Sequence, residues 1–162
     1  MSAKIIAKNA KFVLRQTQDK DIEYLAKLLS NIELMRYTFG KAFEVNEAKE
    51  YIKKHFNFDN NLKFSPLCVD GQIVGFGGIF KFKDGYELGY ILDKKFWNMG
   101  YATKFALLQR DYIKDTLKAK VYATAHPKNI ASHRVLEKCG LTYVKDIVLE
   151  YRGERKLFEY IG

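Results

Sequence analysis

The stretch from Tyr86 to Leu108, YELGYILDKKFWNMGYATKFALL, constrains this chain more than any other, because its hydrophobic period changes once and abruptly. In its first half Tyr86, Leu88, Tyr90 and Leu92 alternate with Glu87, Gly89, Ile91 and Asp93, the period of a strand with one strongly buried face. From Tyr101 the apolar positions fall at Ala102, Phe105, Ala106, Leu108, Tyr112, Ile113 and Leu117, with Lys104, Arg110, Asp111, Lys114 and Asp115 opposite. That spacing predicts an amphipathic helix of about four turns. A strand turning into a helix leaves backbone N–H groups unpaired at the helix start, where the helix dipole adds positive potential. Gly100 and Ala102 let an anion approach that backbone, and Lys94, Lys95 and Lys104 supply charge nearby. The turn is a candidate phosphate site; taken alone, it is also readable as a tight turn at Gly100 followed by a packing residue at Ala102.

The elements around this unit follow from the same rules. Lys11 to Gln16 is a short strand, and Asp19 or Asp21 can cap a helix carrying Ile22, Leu25, Leu28 and Leu29. Asn31 opens a second helical piece ending near Gly40, and Asn46 an N-cap for a third with Tyr51, Ile52 and Phe56 on its apolar side. Leu62 to Val69 reads as a strand that Pro66 makes an edge or bulged one. Asp70-Gly71 and Asp84-Gly85 turn the chain through a three-stranded meander ending in the central strand. Ala119 to Ala125 is a further buried strand, reached by a crossover and so parallel to the central one. Asn129 caps a short helix that Gly140 stops, and Leu141 to Glu150 with Arg155 to Tyr160 make a final hairpin. The expectation is one domain over 1–162, an α/β mixed sheet with helices on both faces.

A chain of 162 residues with 48% hydrophobic residues and only two prolines can bury a self-sufficient core, which argues against disorder. Its apolar runs are too short to cross a bilayer and its N-terminus lacks the apolar stretch of a signal peptide, so a cytoplasmic location without membrane partners is expected. Cys68 and Cys139 then read as small buried hydrophobes. The net charge of +9 favours acidic partners without choosing among nucleic acid, ribosome surface, anionic cofactor and anionic substrate. The lysines are spread out rather than massed, which weakens a specific nucleic-acid reading. Gly75-Phe76-Gly77-Gly78 lacks the third glycine of a dinucleotide loop and runs on as a strand. His55, His126 and His133 share no metal-ligand spacing, so no metal site is expected.

ELGYILDKKFWNMGYAT, the strand VYATA, the NIASHRVLEKCGL helix and the closing EYRG hairpin together resemble the GCN5-related N-acetyltransferases, and more closely their ribosomal-protein alanine N-acetyltransferase branch. The resemblance implies a sheet, mostly antiparallel, whose one parallel pair splays at the centre. It implies acetyl coenzyme A as donor, its pyrophosphate on Asn98, Met99, Gly100, Tyr101, Ala102 and Thr103, its pantetheine arm along Tyr90, Ile91 and Leu92, and Trp97 as a further cofactor-binding residue. It also implies an oxyanion donor at the Leu92 backbone, Asn129 holding the cofactor arm, Ser132 protonating the leaving thiolate and Glu150 as base. Departures from the family pattern are Trp97 in place of Gln or Arg, Met99 where a basic residue is frequent, and Leu136 where many members carry a tyrosine acid. The implied acceptor is a protein N-terminal α-amine, ribosomal proteins included. Alternatives are a small amine such as a polyamine or aminoglycoside, and a non-catalytic acyl-coenzyme-A-binding or nucleic-acid-docking module. A monomer or homodimer is expected.

Overall fold

The computed structural model describes residues 3–59 and 62–162. Its eight strands are β1 (Ile5–Asn9), β2 (Phe12–Arg15), β3 (Phe64–Val69), β4 (Gln72–Phe82), β5 (Gly85–Leu92), β6 (Lys120–Ala125), β7 (Leu141–Leu149) and β8 (Gly153–Tyr160). They form one sheet in the order β1-β2-β3-β4-β5-β6-β8-β7. Every neighbouring pair is antiparallel except β5 and β6. The helices are α1 (Ile22–Leu29), α2 (Ile32–Met35), α3 (Val45–His55), α4 (Tyr101–Asp111) and α5 (Ile130–Lys138).

The alternation along β5 assigns the two faces. Leu88 and Leu92, with Tyr86 and Tyr90 partly buried, join the core made with α4 and α5, which includes Phe105, Ala106, Ile113 and Leu136. Ile91 turns to the opposite core, where Leu25, Leu29, Ile52, Phe56 and Phe76 pack under α1 to α3. Phe56, Phe64, Phe76 and Phe80 meet there at centroid distances of 4.8 to 5.6 Å. Ring pairs of this kind add about 0.5–1.5 kcal/mol each beyond the area they bury.

Several boundaries differ from expectation for local reasons. The third helix is capped by Glu44 rather than Asn46, through a capping box in which the Glu44 carboxylate accepts from the Asn46 and Glu47 N–H groups. Asp19–Asp21 is a 3-10 turn before α1; Asp21 stands at the N-cap position of α1 as expected, but its side chain makes no capping bond there and accepts instead from the Gln18 N–H. The Pro66 strand lies inside the sheet between β2 and β4, with its irregularity at Leu67/Cys68, so of the two expected forms it takes the bulged one. Past Asp111, α4 widens into a π-helical turn over Tyr112–Thr116. β1 was legible only as two isoleucines in a lysine-rich segment, too little for a strand assignment.

The glycines of β4 have a packing reason. A Cβ on Gly75 would lie 2.1 Å from the Ile91 carbonyl oxygen, and one on Gly77 would lie 2.3 Å from that of Gly89. Only glycine lets β4 press this closely on the central strand.

Candidate active site

The parallel pairing of β5 to β6 is short: Gly85, Tyr86 and Glu87 face Lys120, Val121 and Tyr122. Beyond Tyr122, β6 continues along β8 as far as Ala125 opposite Lys156, while β5 continues along β4 to Leu92 opposite Gly75. The two strands therefore diverge past Glu87 and open a slot. The Asp93 N–H donates to the Val74 carbonyl at 2.8 Å. By ladder alternation, the N–H groups of Leu92, Tyr90 and Leu88 turn away from β4 toward that slot. The Leu92 carbonyl, on the same edge, accepts from the Trp97 indole at 3.0 Å, which anchors the following loop.

A cleft of about 650 Å³ enters the slot from the loop side. Every residue of the expected cofactor set lines it except Met99, whose side chain is 58% exposed. Asn98 (φ 63°) and Gly100 (φ 79°) both take left-handed backbone, and Gly100 is the N-cap of α4 without any side-chain cap. A Cβ at Gly100 would meet nothing within 4 Å, so the helix start faces open space. The positive charge here differs from expectation. Lys94 pairs with Glu33 at 3.0 Å and Lys95 lies over the Tyr24 and Phe96 rings, whereas Arg36, Lys128 and Lys138 line the cleft. These three come from α2, the β6–α5 loop and the end of α5, distant segments that no local pattern links. Open backbone donors at a helix start, three basic side chains and an unpaired strand edge together fit a phosphate-bearing cofactor with an extended amide arm.

A second cleft, of about 760 Å³, reaches the same slot from the α1–α3 side. The two clefts share Tyr37, Thr38, Tyr90, Ile91, Asn129 and Ser132, so they meet where the Tyr90 and Ser132 hydroxyls lie 3.0 Å apart. Burial pushes the Tyr90 phenol above its ordinary range, with the Ser132 hydrogen bond pulling the other way. The Asn129 oxygen accepts from the Ser132 N–H at 3.3 Å, capping α5 and leaving its amide nitrogen for a ligand. Gly89 lines this cleft too, and a Cβ there would meet nothing within 4 Å.

Glu87, not Glu150, is the carboxylate among the residues lining this second cleft. Glu87 is 7% exposed; one of its oxygens accepts from Arg152 at 2.8 Å and the other from Thr124 at 3.1 Å. Glu150 is exposed in the turn after β7 and lines neither cleft. The Glu150 expectation followed the hairpin motif; Tyr151 and Arg152, the next two residues of that motif, line the cleft, and Arg152 bonds Glu87. Aromatic side chains, including Tyr37, Phe39, Phe64 and Phe80, make up much of the wall.

Residues 11–142 match the Acetyltransferase (GNAT) domain family. The chain belongs to that family. It is 28% identical over 139 residues to the uncharacterized N-acetyltransferase YnaD of Bacillus subtilis (strain 168), covering 81% of this chain and 79% of that protein. Its fold is similar to that of a spermidine N-acetyltransferase from Vibrio cholerae in complex with CoA and spermine, at a TM-score of 0.77, 20% identity and 93% and 95% coverage. It is similar as well to the ribosomal L7/L12 alpha-N-protein acetyltransferase RimL, at a TM-score of 0.78, 13% identity and 99% and 96% coverage. The expected α/β class, with one parallel pair in a mostly antiparallel sheet, is the observed one. The chain is an acyltransferase that uses acetyl-CoA as acetyl donor to an amine. Among the described residues, no helix is long and apolar enough to cross a membrane.

Proposed function

We propose that the amine acetylated by this chain is the α-amine of a peptide or protein N-terminus. The observation carrying the proposal is the charge of the acceptor cleft: Lys81, Arg152 and Arg155 line it against the single carboxylate of Glu87, which Arg152 already engages. A polyamine, with several positive charges, would meet net repulsion there. A peptide brings one ammonium and a run of backbone that the aromatic wall can cover. Fold likeness alone does not choose, since both a spermidine enzyme and a ribosomal-protein enzyme are similar.

Acetyl coenzyme A supplies the activated acyl group when bound. The residues of the chain supply the rest. The N–H groups of Tyr90 and Leu92, facing the slot, are aimed at an oxygen on which negative charge develops. Asn129 holds the cofactor arm through its free amide. Ser132 gives its proton to the departing sulfur, and Tyr90, 3.0 Å away, is positioned to restore it. Glu87, in place of Glu150, takes the proton from the incoming ammonium directly or through a water. Arg152 fixes the Glu87 carboxylate in the cleft at 2.8 Å, and little help is asked of it by an α-amine whose ordinary pKa, near 7.7–8.0, leaves a useful neutral fraction at pH 7.

Mass spectrometry of protein N-termini with and without the enzyme, together with rates on N-terminal peptides and on spermidine, tests the acceptor. Peptides are expected to be turned over faster, and turnover of spermidine alone reverses the assignment. For the base, Glu87→Gln should lower kcat/KM by about 10²-fold at neutral pH and recover as pH rises, whereas Glu150→Gln should stay near the parent. The opposite ranking returns the role to Glu150.

A further inference from the structure

Arg155 stands out among the groups of the acceptor cleft. It is 5% exposed, yet among the described residues no carboxylate lies within ion-pair distance of it. Its guanidinium donates to two carbonyls, of Glu154 at 2.8 Å and of Thr38 at 3.1 Å, and retains further N–H donors. A buried charge is ordinarily paired. Glu87 acts on Arg155 only through space, its direct bonds going to Arg152 and Thr124. Burial and then the Arg152 charge hold the Arg155 guanidinium below its ordinary range. The neighbouring His126 feels the same field: burial first, then Arg155 and Lys128, holds its imidazole below the usual value.

We propose that Arg155 anchors an anion subsite in the acceptor cleft, so that the favoured acceptor is an amine carrying a carboxylate on an apolar body, its amine at Glu87 and its acid at Arg155. This rests on the acetyl-transfer reading above and narrows its acceptor. Glu87 and Arg155 line the same cleft, which matches an acceptor with both charges on one frame. The acid can come from a Glu or Asp side chain close behind a peptide N-terminus or from a small aromatic amino acid. An Arg155 that only ties the Thr38 carbonyl to β8 would not sort acceptors by charge.

Coenzyme A release is measured for the parent protein with two matched pairs. One pair is two hexapeptides differing only by Glu or Gln at the second and third positions; the other is 4-(aminomethyl)benzoate against 4-(aminomethyl)benzamide. The acid member of a pair is expected to exceed its neutral partner in kcat/KM by about tenfold or more. Preference in the peptide pair or in the benzoate pair identifies the source of the acid and supports the subsite. In Arg155→Gln the acid-to-neutral ratio should fall toward one, while in Arg155→Lys part of it should remain. The rise in Tm on adding acetyl coenzyme A reports that the variants are folded, since Arg155 lies outside the cofactor cleft. Equal rates within both pairs in the parent overturn the subsite and leave peptide acetylation standing. Turnover of the benzoate without either peptide overturns the peptide reading and leaves the subsite standing. A ratio unchanged in folded Arg155→Gln removes Arg155 from the subsite. The parent comparison alone decides the charge preference should Arg155→Gln fail to fold.

Discussion

Removing the two hydroxyls at the junction of the clefts, singly and together, separates a working pair from two unrelated groups. Ser132→Ala leaves the Tyr90 phenol without its protein partner, and an unsatisfied donor costs about 1–2 kcal/mol where water has limited access. Tyr90→Phe removes the same bond from the other side and leaves Ser132 at the cleft edge, where about 0.5–1.5 kcal/mol is appropriate. For a chain of this size each kcal/mol shifts Tm by about 2–4 °C, so Ser132→Ala should melt roughly 2–8 °C lower in the absence of cofactor. The double variant removes both ends of one bond. Its loss should fall short of the sum of the single losses by about 1 kcal/mol, or 2–4 °C, in thermal unfolding followed by circular dichroism. In turnover, Ser132→Ala should lower kcat by about 10²-fold and Tyr90→Phe by less. Because Tyr90 acts through Ser132, the double variant should be no slower than Ser132→Ala. Additive Tm losses together with multiplied kcat losses would show two independent groups and refute the relay.

Gly100→Glu adds a Cβ in a left-handed conformation and a negative charge at the start of α4, so acetyl coenzyme A should no longer raise Tm; a shift equal to the parent's would dismiss the phosphate nest. Asp84, hydrogen-bonded by Tyr122 and Lys120, has its carboxyl held down to about 2, below its ordinary value. A depressed carboxyl contributes stability above its unfolded pKa and loses it as pH falls through the folded one, so the Tm gap between the parent and Asp84→Asn should be constant above about pH 5 and close between about pH 4 and 2. Burial pushes the Cys139 thiol up to about 11, and an aromatic disulfide reagent at pH 8 should leave it unmodified until the protein is unfolded.

What could be seen in the sequence was what depends on neighbours along the chain. The alternation through β5, the Gly100 turn, the Asn129 cap and the left-handed Gly140 each carry a local signature, and each stands where that signature put it. Glu44 displaced Asn46 as a cap because its capping box with Glu47 starts the helix earlier, so that the Asn46 N–H is itself one of the donors that Glu44 accepts. The charges could not be read this way. Lys94 was expected to serve the turn that follows it, yet Glu33 of α2 pairs with it across the fold. Arg36 and Lys138 line one cleft, and Arg155 the other, by virtue of crossovers that bring distant segments together. Glycines rejected as a dinucleotide loop proved to be sites of close strand approach, a requirement set by the partner strand.

The slot itself arises from competition between sheet partners. β6 could follow β5 to its end or follow β8; it pairs with β8 over Tyr122 to Ala125, so the edge of β5 from Leu88 onward is released. Backbone N–H groups released in a protein interior are costly unless something else pairs with them. On the released edge Trp97 meets the Leu92 carbonyl, while Gln109 of α4 reaches the Gly89 carbonyl, which faces β4, at 3.0 Å. The N–H groups of Tyr90 and Leu92 are left facing the slot, and on the proposed reading an acyl donor with amide oxygens along its arm would supply what they lack. The one parallel pair in the sheet thus turns a backbone liability into a binding edge. Tyr90, bonded to Ser132 of α5, and Glu87 project from opposite faces of β5, and on the proposed reading acyl donor and amine would meet between them.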